Sequence, residues 1–450
     1  MSAVVERTSW LTADYESIKG LLDSLGPASL AAMREAARAR FERVGLPSTK
    51  DEEFKYVSFR VLEEGHFGLP YGAIIDRHQV AEHPIGKLDA ITVAFINGQY
   101  APELSSDQVL PEGAFVGPLV DGFLSHNVKI LEHLGKIATL EGRLGTSNDE
   151  RFTDLNTAFL GEGAFVYIPR GVALELPIHI LWMSEAKHGP FAAHPRSLVV
   201  LEDGARAKVF ESFIGRAGIY FTNALSELHL GKGANLEHVK FQDETGDSVH
   251  VANVAYHQEA NSVLTSTNVN LGGKLVRNDL NVWLNGEHTE TWLNGVNLAL
   301  GDQVVDNHTR IDHANPNCNS FEVYKTILGG HAVGVFNGKI FVYEDAQKTD
   351  AKQTNQAVLL SPHATFNTKP QLEIFADDVK CTHGATVGQL DEVALFYLRS
   401  RGLGLEEATT LLTYAFAADV VQRIDDLTVR AGLEALARER FVGAMPASVG

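Results

Sequence analysis

The chain has 450 residues of which 44% are apolar, enough for two or three domains with buried cores and too apolar for a disordered chain. Its 38 Lys and Arg stand against 57 Asp and Glu, and a formal charge of −19 argues against binding a nucleic-acid backbone or an acidic substrate and for a protein that resists self-association. Two cysteines, Cys318 and Cys381, are too few for a disulfide scaffold, and without a CxxC pair a complete zinc or iron–sulfur site within one chain is not expected.

No apolar run reaches the roughly 20 residues of a membrane span. The stretch from Met1 to Trp10 lacks the basic flank and apolar core of a secretory signal. The sequence therefore reads as a cytoplasmic protein with free thiols.

From Tyr15 to Val44, apolar residues recur at three- and four-residue spacing through Leu21, Leu22, Leu25, Leu30, Met33 and Phe41, which predicts helix ended by Gly45 and Pro47. The segment Leu46–Tyr56 reads as a capped helix start with Asp51, Glu52 and Glu53 in its first turn. Between Ala90 and Leu119, short apolar runs broken by Gly and Pro predict small strands. Helical spacing returns from Asp121 to Leu144 and from Asp154 to Leu160.

From Ala164 to about Leu372 the pattern is one of short alternating strands, with few helical periods between them. Turn-plus-small-residue openings recur loosely, as in Asp203-Gly204-Ala205, Lys232-Gly233-Ala234, Leu284-Asn285-Gly286, Leu328-Gly329-Gly330-His331 and Pro362-His363-Ala364. A sandwich, a jelly roll and a parallel β-solenoid all fit, and the recurring openings favour the solenoid. Asn268, Asn270, Asn281, Asn294 and Asn297 are candidates for inward-facing amide ladders between its turns.

After Gln389 the pattern is helical again. Asp391 can cap a helix that ends at Gly402, Leu405 can begin another with Ala408, Leu411, Leu412, Ala415 and Phe416 on one face, and a third stretch runs from Ala418 to Phe441. Such a tail either caps the last turn of a solenoid or docks a partner. The expected division is a helical and mixed region over 1–160, a β-helix over 161–388 and a helical domain over 389–450.

The runs Gly334–Ile340, Asp350–Gln356, Lys369–Ile374, Asp377–Gly388 and Leu395–Gly402, together with Leu46–Tyr56, resemble the SufB/SufD family of iron–sulfur cluster assembly proteins. The segment Cys381-Thr382-His383-Gly384-Ala385-Thr386-Val387-Gly388 and the presence of only two cysteines are closer to the SufD branch; Thr382 stands where many relatives have Ser. The resemblance implies a right-handed parallel β-helix between helical ends. It also implies a non-enzymatic subunit that pairs with SufB and binds the SufC ATPase through its C-terminal helices. No GxxxxGK[ST] phosphate loop occurs in this chain, so ATP hydrolysis is expected in SufC.

By the same resemblance, His383 would help hold a transient iron–sulfur cluster or iron shared with SufB, and no cofactor would stay bound to this chain alone. Neutral imidazole is a suitable and exchangeable iron ligand. Cys381 lies two residues before His383, so on a strand both project from one face; it can ligate, relay sulfur or pack. Cys318, in a turn with Pro316, reads as a packed thiol, and His331 and His363 read as structural. Leu398, Leu405, Leu411, Leu412, Tyr414, Phe416 and Val420 are the candidates for SufC docking, with an internal helical core as their other reading.

Two other functions stay open at this point. The chain could be a SufB-type scaffold, which would bind a cluster alone, or a β-helix carbohydrate-active enzyme, which needs clustered carboxylates in a groove. When isolated, it could pair with itself through an unpaired solenoid edge.

Overall fold

A computed structural model describes residues 9–139, 143–144 and 150–443; Met1–Thr8, read above for a signal, lie outside the described residues. Helices α1 (Ser9–Ser24) and α2 (Ala28–Val44) are separated by Gly26, whose φ of 95° and following Pro27 interrupt the helical period. Gly45 ends α2 at φ 72°.

The expected helix start at Leu46–Tyr56 is instead a single 3-10 turn, Glu52–Phe54. Asp51 does not cap it, because its carboxylate is taken by two Arg151 nitrogens at 3.0 Å and by the Ser48 N–H at 2.7 Å. Short helices α3 (Arg60–Glu64) and α4 (Arg77–Ala81) follow, then α5 (Leu119–His133) and α6 (Arg151–Ala158). The helix expected over Asp121–Leu144 thus ends at His133, and 140–142 lie outside the described residues.

Strands β1 (Ile91–Ile96) and β2 (Gln99–Tyr100) pair antiparallel, as do β3 (Phe115–Pro118) and β4 (Ala164–Ile168). From here the chain winds as a parallel β-solenoid. One wall contains β5 (Ile178–Glu185), β8 (Arg206–Ala217), β10 (Asn235–Asp243), β12 (Val263–Asn270), β14 (Glu290–Ala299), β16 (Asn319–Leu328), β18 (Asp350–Leu359) and β20 (Lys380–Gly388). The other contains β4, β7 (Arg196–Leu201), β9 (Tyr220–Leu230), β11 (Val249–Gln258), β13 (Leu275–Leu284), β15 (Val304–His313), β17 (Val333–Val342) and β19 (Thr365–Ile374), with β6 (Phe191–Ala193) paired beside β9. Strand β1 pairs parallel with β5, so the N-terminal region supplies part of the first wall.

The register steps from Arg206 to Asn235, Val263, Glu290, Asn319, Asp350 and Lys380, which sets 27 to 31 residues per turn. One corner repeats throughout. Gly171, Gly204, Gly233, Asn261, His288, Asn317 and Lys348 all adopt positive φ between 58° and 72°. From Gly204 onward, each is followed by a small or compact residue that is at most 1% exposed: Ala205, Ala234, Ser262, Thr289, Cys318 and Thr349. The left-handed residue of the turn after β13 is His288, not the Asn285-Gly286 pair expected from sequence.

The early lumen is apolar, filled by Val209, Leu228, Leu236, Val254 and Leu264. Later turns carry an amide network: Asn270 donates to Asn297 at 2.8 Å, Asn297 to Thr326 at 3.1 Å, and Asn278 to both Asn270 and Asn307. Asn268 is buried, but neither of its side-chain polar atoms has a hydrogen-bond partner among the described residues. Asn281 and Asn294 do not join the network either. Each alternates with inward residues along its strand, so Asn281 meets Asn253 outside, and Asn294 accepts from Arg423 of the tail.

The tail comprises α7 (Glu392–Ser400), capped by Asp391 through the N–H groups of Val393 and Ala394, then α8 (Leu405–Val421) and α9 (Leu427–Gly443). It does not close the last turn. Helix α8 lies back over β14 and β16, where Val420, Val421, Ile424, Leu433 and Leu436 pack with Val296 and Ile327. Lys325 and Asp419, 2.9 Å apart, and Arg440 and Asp243, 2.6 Å apart, pin it there. None of the described helices is long and apolar enough to cross a membrane.

Candidate functional site

The two ends of the solenoid differ. At the first end, antiparallel strands β2 and β3 finish the sheets. At the last end, β20 pairs only with β18 and β19 only with β17 among the described residues, so both walls stop at unpaired edges.

His383 and Cys381 lie on this last strand. Cys381 is in register with Ala351 and His383 with Gln353, both buried and inward, so the two side chains continue inner-face rows at the open end. Their surroundings differ. His383 is exposed, whereas Cys381 is half-buried beside Ile340, Val342, Ala346 and Ala351. Burial pushes the Cys381 thiol above its usual pKa, so near neutrality it is protonated until a metal or base displaces the proton. Among the described residues, no group of three or more His, Cys, Asp and Glu converges to hold a metal ion. This edge therefore offers two donors, a histidine open to solvent and a thiol that needs deprotonation.

The row beneath His383 is polar. Gln353 Nε2 donates to Glu322 Oε2 at 2.7 Å, and Glu322 is in register with Gln353 one turn further in. Burial raises the Glu322 carboxyl to about 7, against the lowering effect of the hydrogen bond from Gln353. Gly338, on β17, leaves the space that the Gln353 amide fills; a Cβ there would collide with Nε2. Three of the motifs read separately in the sequence, those containing Gly338, Gln353 and His383, thus meet at the open end. Sequence reading missed Glu322 and Gln353 as site neighbours, because strand alternation alone does not say which strands are adjacent.

Cys318 is elsewhere, in the corner stack, with Sγ donating to Gly286 O at 3.2 Å and its pKa raised by burial. His331 and His363 stack on the surface with ring centroids 5.0 Å apart.

The docking candidates divide by burial. Leu405 and Leu411 are exposed, Leu398, Leu412, Tyr414 and Phe416 are half-buried, and Val420 is fully buried in the helical core. The buried face of α8 includes Ala408, Thr409, Thr413, Ala417 and Val420, so Ala408 of the expected face is buried whereas Leu411 and Ala415 are exposed. Helix α7 buries none of its residues, and its Val393, Phe396 and Tyr397 are 76%, 74% and 56% exposed. Their signal in sequence was an apolar run in a short helix, indistinguishable from a core stripe.

A model of the SUF system FeS cluster assembly SufBD core domain matches residues 182–416, and a model of the SufBD protein N-terminal region matches residues 6–180. An iron–sulfur cluster assembly SufBD family protein of Synechocystis is 33% identical over 416 residues, covering 90% of this chain and 89% of the relative. The iron–sulfur cluster assembly protein SufD of Escherichia coli is 31% identical over 404 residues, 89% of this chain and 90% of its own length. A Bacillus subtilis protein of the same name is 27% identical over 284 residues, covering 62% and 64%. The fold, the matched residues and these relatives agree, and the chain belongs to the SufBD family of the SUF iron–sulfur cluster assembly system.

Proposed function

We propose that this chain is a SufD-like assembly subunit of the cytoplasm that pairs with SufB through the open end of its solenoid and presents His383 to a nascent cluster there. One observation carries the reading: the histidine lies exposed on the terminal strand, whose outer edge is unpaired, with too few donors beside it among the described residues to complete a site alone. A partner strand added to β19 or β20 would satisfy the free edge and bring its own ligands to the same place. The cluster is cargo shared between two chains, and Cys381 serves it only after losing its proton.

The exposed apolar residues Val393, Phe396, Tyr397, Leu405 and Leu411 are the proposed docking face for SufC, to which ATP hydrolysis is assigned. In the absence of SufB, the same unpaired edges suit a second copy of this chain.

The test is co-expression with cognate SufB and SufC, comparing wild type with His383→Ala. The complex should still assemble, with visible absorbance of the cluster reduced; undiminished cluster yield removes His383 from the site, and failure of the wild-type chains to co-purify removes the assignment. Anaerobic reconstitution of the isolated chain separates the SufB-type reading, which alone expects a cluster without partners.

A further inference from the structure

Gln353 is 2% exposed and uses its amide nitrogen on Glu322, yet its carbonyl oxygen Oε1 has no hydrogen-bond partner among the described residues. A buried, unpaired carbonyl is costly, about 1–3 kcal/mol, and calls for a donor. The neighbouring inner-face position one register step outward is His383, at a strand spacing of about 4.8 Å. The Gln353 side chain is not free to turn away. Glu322 holds its nitrogen, and that nitrogen lies close against Gly338.

We propose that Gln353 is a positioning residue for His383: its Oε1 accepts the N–H of one imidazole nitrogen, selecting the neutral tautomer whose other nitrogen carries its lone pair outward, and Glu322 fixes the orientation of Gln353. Histidines that ligate metals commonly donate their second ring N–H to a carbonyl or carboxylate, which sets ring orientation and tautomer. The row Glu322, Gln353, His383 supplies that arrangement before any metal arrives, so the ligand is preorganised at an edge where the imidazole would otherwise rotate in solvent. Its value for cluster assembly rests on the ligand role proposed above, whereas the tautomer selection is a property of this chain alone.

The experiment uses the full-length chain without partners, labelled with 15N-histidine, with the His383 signals assigned by their disappearance in His383→Ala. Ring-nitrogen shifts recorded at about pH 8 report the tautomer. Wild type should show one dominant neutral tautomer, and Gln353→Met should convert it to a mixture. Should Gln353→Met fail to fold, Gly338→Ala, which displaces the Gln353 amide, should give the same mixture. The exchange Glu322→Gln with Gln353→Glu restores donor and acceptor in reversed order and should restore the single tautomer. A mixture in wild type, or an unchanged single tautomer in both Gln353→Met and Gly338→Ala, overturns the proposal. A single tautomer together with undiminished cluster yield in the His383→Ala complex keeps this geometry and rejects the ligand role; a mixture together with lost yield does the reverse.

Discussion

His308 Nδ1 lies 3.3 Å from Glu53 Oε2, joining the N-terminal Leu46–Tyr56 segment to the outer face of β15. The other ring nitrogen faces Asp306 at 3.1 Å, Arg277 donates to the Glu53 backbone carbonyl at 2.9 Å, and Lys369 reaches Glu52 at 2.7 Å. Residues 224 to 317 positions apart thus form one clasp, which is why the acidic turn and the Lys369–Ile374 run belong to the same structural unit.

This clasp predicts a pH window. The His308 hydrogen bond is the main influence lowering Glu53, to about 2 from 4.5, so its contribution is present above 4.5 and fades as pH falls toward 2. Burial and Arg277 act to lower His308, but Asp306 and Glu53 outweigh them and raise it above 6.5; its contribution is therefore complete below 6.5 and is lost as pH rises through the raised value. Glu53→Gln should cost about 1.5 kcal/mol at a pH between these limits and less on either side. Denaturant unfolding across pH checks it, and a pH-independent difference between variant and wild type counts against the clasp.

The ion pair between Arg196 and Glu227 is completely buried, and Glu227 also accepts the N–H groups of Gly135, Ile137 and Ala138 at 2.9 to 3.0 Å. Removing either partner strands the other charge, and replacing the Glu227 carboxylate also weakens the acceptor of three backbone N–H groups. Arg196→Met or Glu227→Gln should destabilise by about 3–5 kcal/mol, read as a lowered urea midpoint. A change within error would mean that the pair is dispensable.

The corner stack accounts for Cys318. Asn317 at φ 61° tolerates the left-handed region that a β-branched residue resists, so Asn317→Val should cost about 1–2 kcal/mol. Cys318→Ala should lower stability by about 1 kcal/mol and leave cluster yield per folded complex unchanged. Loss of yield at wild-type stability would reassign this thiol from packing to chemistry.

Burial separates docking from folding in the tail. Phe396→Ala, at an exposed position, should leave the thermal midpoint unchanged while reducing recovery of SufC with the tagged chain. Val420→Ala should instead cost about 2 kcal/mol of stability through the cavity it leaves against the wall. Equal SufC recovery with Phe396→Ala would move the docking face away from α7.

The family and its solenoid were legible because the motifs are local and because small residues recur after the turns. The repeat looked loose for a physical reason: its left-handed position accepts Gly, Asn, His or Lys, and its turns vary from 27 to 31 residues, so no single letter recurs at a single spacing. The inward amides were legible only by half, since Asn281 and Asn294 lie one position out of phase with Asn270 and Asn297. The helix start expected over Leu46–Tyr56 is reduced to one 3-10 turn, and its Asp51 carboxylate is held by the distant Arg151, a partner that local preference does not foresee.

By itself, the sequence determined that Cys381 and His383 share one strand face and that a single chain has too few thiols for a complete cluster site. Only the tertiary structure decided that this strand is the last of its wall, with its outer edge unpaired, and that Gln353 and Glu322 stand in line behind the histidine. Alternation along a strand is set by local backbone geometry, whereas adjacency between strands is set by how many residues each turn consumes, a property of the whole winding that no single segment carries.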